Sequence, residues 1–142
     1  MLQRHPPPRR RGLPRRGGQC TAPGGGWLFI YTRTPEQNAR TIWGRNFPGF
    51  AERETRLLPV TWYQEVIGRH PALRLHGLQV FSHRRASTPE DLSTQVALSH
   101  YSTFSLYEPT VLKASLEEFL QRVRSPVVRW ADENLLVTVH RI

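Results

Sequence analysis

An abrupt change of composition at Trp27, two segments that open with the chemistry of a helix cap, and several runs rich in β-forming residues predict an α+β protein. The expected form is a small single domain with a mostly antiparallel sheet of five or six strands and two or three helices, preceded by a disordered basic arm. The 142 residues divide into an Arg-, Pro- and Gly-rich arm over 1–26 and one α+β domain over 27–142, enough for a single modest core.

From Trp27, WLFIYTR is a nearly continuous apolar run that suits a buried strand. Thr34, Pro35 and Glu36 supply a hydroxyl cap, a proline at the first helical position and an acid in the first turn. Ala39, Ile42 and Trp43 then share a face, and Gly44 with the turn 46–49 ends the element. Over 56–68, Val60, Trp62, Gln64 and Val66 alternate with Thr61, Tyr63, Glu65 and Ile67, which reads as a strand. LRLHGLQVFS, over 73–82, repeats the behaviour, so the two are expected to pair as a hairpin, followed by a basic turn at His83, Arg84 and Arg85.

Thr88, Pro89, Glu90 and Asp91 form a second capped helix start. Beyond it, 92–107 reads as a helical turn or two passing into a strand. Ser115 and Glu118 have the spacing of a capping box, with Leu116, Phe119, Leu120 and Val123 as the apolar stripe of a helix that stops at Ser125 and Pro126. The acids Glu117 and Glu118 then fall in a first turn, where the helix dipole accounts for them without catalysis. The end of the chain, VVRW and LLVTVHRI around ADEN, reads as a hairpin with an acidic turn.

Charge is distributed unevenly. The chain carries +9, but residues 1–18 hold six Arg and no acid, leaving fourteen basic against eleven acidic residues elsewhere. Lys113 is the sole lysine, a bias that codon composition explains as readily as function. The clusters Arg9, Arg10, Arg11 and Arg15, Arg16 suit nuclear import first, contacts to RNA or DNA second and mitochondrial import third, because the prolines interrupt a presequence helix. One cysteine, Cys20, leaves no internal disulfide framework, and no apolar run reaches the length of a membrane span, so a soluble intracellular protein without membrane partners is expected.

The chemistry-bearing motifs argue against an enzyme. The glycines 24–26 lack the Lys and Ser or Thr of a phosphate loop and suit a hinge. There is no Gly-x-Ser-x-Gly elbow, and His70, His76, His83 and His100 show no helical metal-ligand spacing, so neither a metal nor a cofactor is expected. What stands out is a surplus of aromatics: Trp27, Tyr31, Trp43, Trp62, Tyr63, Tyr101, Tyr107 and Trp130 exceed the needs of one small core, and several neighbour Arg. Such residues anchor protein interfaces or stack single-stranded bases.

The segment VTWYQEVIGRHPALRLHGLQVFSHRR, over 60–85, resembles a characteristic stretch of the adenovirus early region 4 34-kilodalton protein family, a Trp-Tyr-Arg-Glu-Val-Val strand leading through a proline to Val-Phe and an arginine turn. Weaker echoes follow the family's order at Gln19 and Cys20 before Leu28, at Val96 to Ser99, and in SLEEFLQR with LLVTVHRI. The resemblance spans most of this chain and the later part of the family's longer sequence. It implies a nuclear viral regulator that joins an elongin and cullin ubiquitin ligase. The family's elongin box falls on Ala97 to Leu106, with Ser102 where the family has Cys. This departure puts the box in doubt, since a hydroxyl is poorly satisfied in an apolar pocket. The chain also lacks the family's Cys and His richness, so metal binding does not carry over.

The resulting expectation is a small non-enzymatic viral regulatory or accessory protein of the host nucleus. It would act through a host or viral protein partner, with Trp62, Tyr63, Leu98 and Leu106 as the contact residues. The alternative is a single-stranded nucleic-acid or RNA binder in which the arm and the exposed aromatics act together.

Overall fold

Alternate apolar residues at 135, 137 and 139 require one face of a strand to be covered, and the computed structural model, which describes residues 25–142, shows how. The chain order is β1 (Trp27–Thr32), α1 (Pro35–Arg40), α2 (Ile42–Asn46), α3 (Phe50–Arg53), α4 (Val60–Arg69), β2 (Leu73–Ser87), α5 (Pro89–Ala97), a 3₁₀ turn (Ser102–Leu106), α6 (Pro109–Arg122) and β3 (Val128–Arg141). The last strand lies in the middle: the sheet runs β1-β3-β2, with both pairs antiparallel. The chain is thus α+β, with six α-helices and three strands among the described residues, more helix and fewer strands than the sequence predicts. The basic arm, apart from Gly25 and Gly26, lies outside the described residues.

Two of the three predicted caps hold, those at Thr34 and Thr88. Thr34 Oγ1 accepts from the Gln37 amide at 3.2 Å and the Gln37 side chain accepts from the Thr34 amide at 3.0 Å, a complete capping box. Thr88 caps α5 by accepting from the Asp91 amide at 3.1 Å. Thr41 both ends α1 and starts α2, donating to the Asn38 carbonyl at 2.7 Å and accepting from the Gly44 amide at 3.0 Å. Gly44 therefore sits inside α2 instead of ending it, and a Cβ there would lie 2.2 Å from the Asn38 carbonyl oxygen. Glycine is what lets the two short helices touch. Ile42 and Trp43 are buried as expected, whereas Ala39 is exposed.

Other elements correct the sequence reading. The segment from Val60 is helix α4, not a strand, and pairs with nothing; Tyr63 and Ile67 are buried against Leu135, Val137 and Val139 while Trp62 and Val66 face outward. With apolar residues on both alternating sets, a period of two was no more informative than a helical one. The expected basic turn and acidic turn are cross-strand partners within long strands: His83 stands opposite Asp132, and Arg84 opposite Ala131. Arg40 meets Glu133 at 2.6 Å, so the ADEN charges are compensated by distant arginines and β3 runs through them unbroken.

The strand expected within 92–107 is instead the 3₁₀ turn. Helix α6 begins at Pro109 with Glu108 as its cap, so Ser115 is an interior residue and Glu117 and Glu118 lie beyond the first turn, Glu118 pairing with Arg122. The stripe at Leu116, Phe119, Leu120 and Val123 does face the core.

Two apolar clusters result. One joins α4 to the face of the sheet that carries Leu135, Val137 and Val139. The larger gathers Trp43, Phe47, Phe50, Leu92, Val96, Phe104 and Phe119 between the other helices, against Val128 and Trp130 at the beginning of β3. Trp43, Tyr63 and Tyr107 are therefore core residues, not surplus surface aromatics.

Candidate functional site

Paired residues in an antiparallel sheet share a face, so the register sorts the strands into two sides. The side opposite α4 carries Trp27, Phe29 and Tyr31 from β1, Leu136, Thr138 and His140 from β3, and Arg74, Gln79, Phe81, His83 and Arg85 from β2. The larger helical layer reaches this side only at the start of β3, where Val128 and Trp130 pack. Trp27, Phe29 and Tyr31 are consequently 51%, 62% and 57% exposed. The run WLFIYT is a strand, as expected, but an edge strand and not a buried one: its aromatic side is open, and on the α4 side Ile30 is partly buried while Leu28 is exposed.

These rings form a connected surface. Trp27 and Phe29 stack with centroids 6.4 Å apart and planes 19° from parallel. Trp27 also meets His140 and His76, each at 4.7 Å, so it bridges all three strands; His76 is the extra residue of a β-bulge between Leu75 and Gly77. Tyr31 lies 6.3 Å from Phe81, and its hydroxyl is hydrogen-bonded to His83 Nε2 at 3.1 Å. Gly25 closes the end of the platform: its φ is +54°, and a Cβ would sit 2.4 Å from His140 Nε2.

Beyond Tyr31 the platform leads into a cavity of about 320 Å³ lined by residues that include Tyr31, Arg33, Asn38, Glu54, Tyr101 and Asn134. The Arg33 guanidinium lies 5.9 Å from the Tyr101 ring centroid and 3.9 Å from Asp132, and its Nε has no hydrogen-bond partner among the described residues. Asp132 is buried, and Trp130 Nε1 donates to it at 3.1 Å while Arg85 stands 3.8 Å away. The charge of this one buried acid on the open side is thereby offset.

Glu54 fixes the opposite wall. It accepts from Arg56 and, at 2.6 Å, from the Thr103 hydroxyl, and these bonds, led by Arg56, hold its carboxyl down at about 2 despite burial. Arg56 also donates to Ser102 at 3.0 Å, which ties the α3–α4 connection to the 3₁₀ turn. Because the folded pKa is depressed below the ordinary 4.5, this stabilisation is complete above that value and is lost as pH falls from 4.5 towards 2. Melting temperatures followed by circular dichroism across that window should show wild type losing on the order of 2 kcal/mol more than Glu54→Gln, which has no charge to protonate.

The residues singled out from the sequence fall in different places. Trp27 and Tyr31 belong to the platform, and Tyr101 to the cavity. Trp62 is exposed on α4, but Tyr63 beside it is in the core and unavailable to a partner. Leu98 is 76% exposed at the end of α5 and Leu106 is exposed at the end of the 3₁₀ turn. Between them Ser99 takes a positive φ of 48°, so Ala97–Leu106 is two elements joined by a turn instead of one helical face. Arg9, Arg10, Arg11, Arg15 and Arg16 lie outside the described residues. Composition and local pattern do not mark Phe29, Phe81, His76, His83 and His140 as platform residues, although the alternation of Trp27, Phe29 and Tyr31 is the signal for one side of β1.

Among the described residues no group of three or more His, Cys, Asp or Glu is placed to hold a metal ion, and no helix is long and apolar enough to cross a membrane. No protein-family model matches the chain, and no curated protein matches it.

Proposed function

We propose that the chain binds single-stranded nucleic acid, most simply RNA, on the open side of its sheet. The observation that carries this reading is the exposed row Trp27, Phe29 and Tyr31, continued across the sheet by Phe81 and flanked by Arg74 and Arg85. Unpaired bases stack on such rings whatever their sequence, and arginines meet the phosphates. The six arginines of residues 1–18, ahead of β1 in the sequence, add positive charge to the chain. No catalytic group is needed, and the function is one of binding.

The test is fluorescence anisotropy with a labelled single-stranded RNA across a salt series. Neutralising about five phosphates gives a log–log slope near −3.5, and duplex of the same length should compete poorly because its bases are not free to stack. A second reading, the nuclear viral adaptor of elongin and cullin type, is favoured by the exposure of Leu98, Leu106 and Trp62. A flat salt response, together with nuclease-resistant capture of elongin and cullin subunits by the tagged chain, is the result that transfers the function to that reading.

A further inference from the structure

We infer that the cavity beyond Tyr31 is a base-reading pocket that takes one adenine of the bound strand, an inference that rests on the single-strand reading above. Three features argue for it. The cavity shares Tyr31 with the platform, so a strand stacked along Phe29 and Tyr31 delivers its next nucleotide there. Its volume, about 320 Å³, is at the lower end of the roughly 300–1,000 Å³ that small-molecule sites occupy, which suits a single planar group. Its walls offer the Tyr31 and Tyr101 rings for stacking and the carboxamides of Asn38 and Asn134 for hydrogen bonding.

Asn38 is the more telling of the two amides. It is only 5% exposed, yet no described residue makes a hydrogen bond to its side chain; the bonds at Asn38 use its backbone, which accepts from Thr41 and donates to Thr34. The amide atoms are not sealed from solvent, so they are open to a ligand in the cavity that Asn38 lines.

The other polar groups narrow the choice of base. Glu54 already accepts from Arg56 and Thr103, and Arg33 Nε is buried with the guanidinium beside Asp132 and the Tyr101 ring, so the carboxamides are the uncharged groups of the lining that offer a planar donor–acceptor edge. A carboxamide presents one acceptor beside one donor, the complement of the adenine amino group and its neighbouring ring nitrogen. Guanine presents two acceptors on the same edge, which a carboxamide with one donor beside one acceptor does not match.

The experiment compares the full chain's affinity for oligo(A), oligo(U) and oligo(C) of one length, for wild type, Asn38→Leu and Asn134→Leu. Wild type should prefer oligo(A) by roughly 5- to 100-fold, the range of one bidentate base contact. Both variants should bring oligo(A) down to the level of oligo(C) without changing oligo(C) itself. Leucine keeps the branching and heavy-atom count of asparagine without its polar atoms, and a melt of each variant checks that it folds. Binding of all three oligomers with no preference, or a preference that both folded variants retain, overturns the pocket and leaves the platform standing. A preference for oligo(U) or oligo(C) that the variants abolish overturns adenine as the ligand. Absence of binding to every oligomer overturns the pocket and the platform together.

Discussion

Replacing Phe29 with alanine should weaken single-stranded RNA binding by roughly 5- to 150-fold while leaving the fold and the salt slope unchanged. The magnitude follows from about 1–3 kcal/mol for each base stacked on an aromatic ring. Phe29 is the most exposed ring of β1 and its pair partner is Thr138, so its removal uncovers no core. Exposed substitutions of this kind change stability by about half a kcal/mol or less. Phe29→Trp should retain affinity, because the requirement is a π-face and not a particular side chain.

Salt dependence makes the experiment specific. A lost stacking contact lowers affinity equally at every ionic strength, whereas loss of an arginine lowers the slope, by about 0.7 for each phosphate contact on a single strand. Anisotropy titrations of wild type and Phe29→Ala at several salt concentrations should give parallel lines. Coincident lines would mean that bases do not stack on this side of the sheet, and the platform would then be a surface without that function.

The parts of this fold that were legible from sequence are those whose determinants are local. Thr34 and Thr88 announce α1 and α5 because a cap, its proline and its hydrogen-bond partner lie within a few residues. The stripe of α6 is legible for the same reason, although its start lies earlier than the Ser115 spacing suggests. What escaped depends on partners far along the chain. Asp132 and Glu133 look like turn residues until Arg33, Arg85 and Arg40 are brought beside them. Val60 to Ile67 has residues suited to either a strand or a helix, and its contacts with β3 decide the matter.

The candidate site divides along the same line. Trp27 and Tyr31 stand out as surplus aromatics, Tyr31 near Arg33, but nothing local says which side of β1 stays open. That is decided by α4 covering the opposite face. The cavity is less legible still, since Asn38, Glu54, Tyr101 and Asn134 come from four separate segments and none belongs to a motif.

Trp43→Ala should produce the largest loss of stability of any single substitution considered, about 3–5 kcal/mol. Trp43 is 1% exposed and holds the larger cluster together: it stacks on Phe119 at 4.8 Å with planes 25° apart and meets Phe104 edge-on at 5.1 Å. Phe47, Phe50 and Tyr101 lie at 6.0, 6.4 and 6.3 Å. No neighbour can close the resulting void without giving up its own packing against the others, so the cavity penalty adds to the lost burial. Against the roughly 5–15 kcal/mol that holds a typical domain together, a loss of this size is a large fraction of the whole. Urea unfolding should show the midpoint falling with little change in slope, and Trp43→Phe should recover much of the loss. The consequence reaches the candidate site through Tyr101, which packs on Trp43 and Phe50 while lining the cavity. At a urea-free temperature where Trp43→Ala is still folded, base preference should therefore fall, whereas stacking on Phe29, which rests on the sheet, should persist. Equal loss of both would mean that the platform and the cavity depend on one packing unit instead of two.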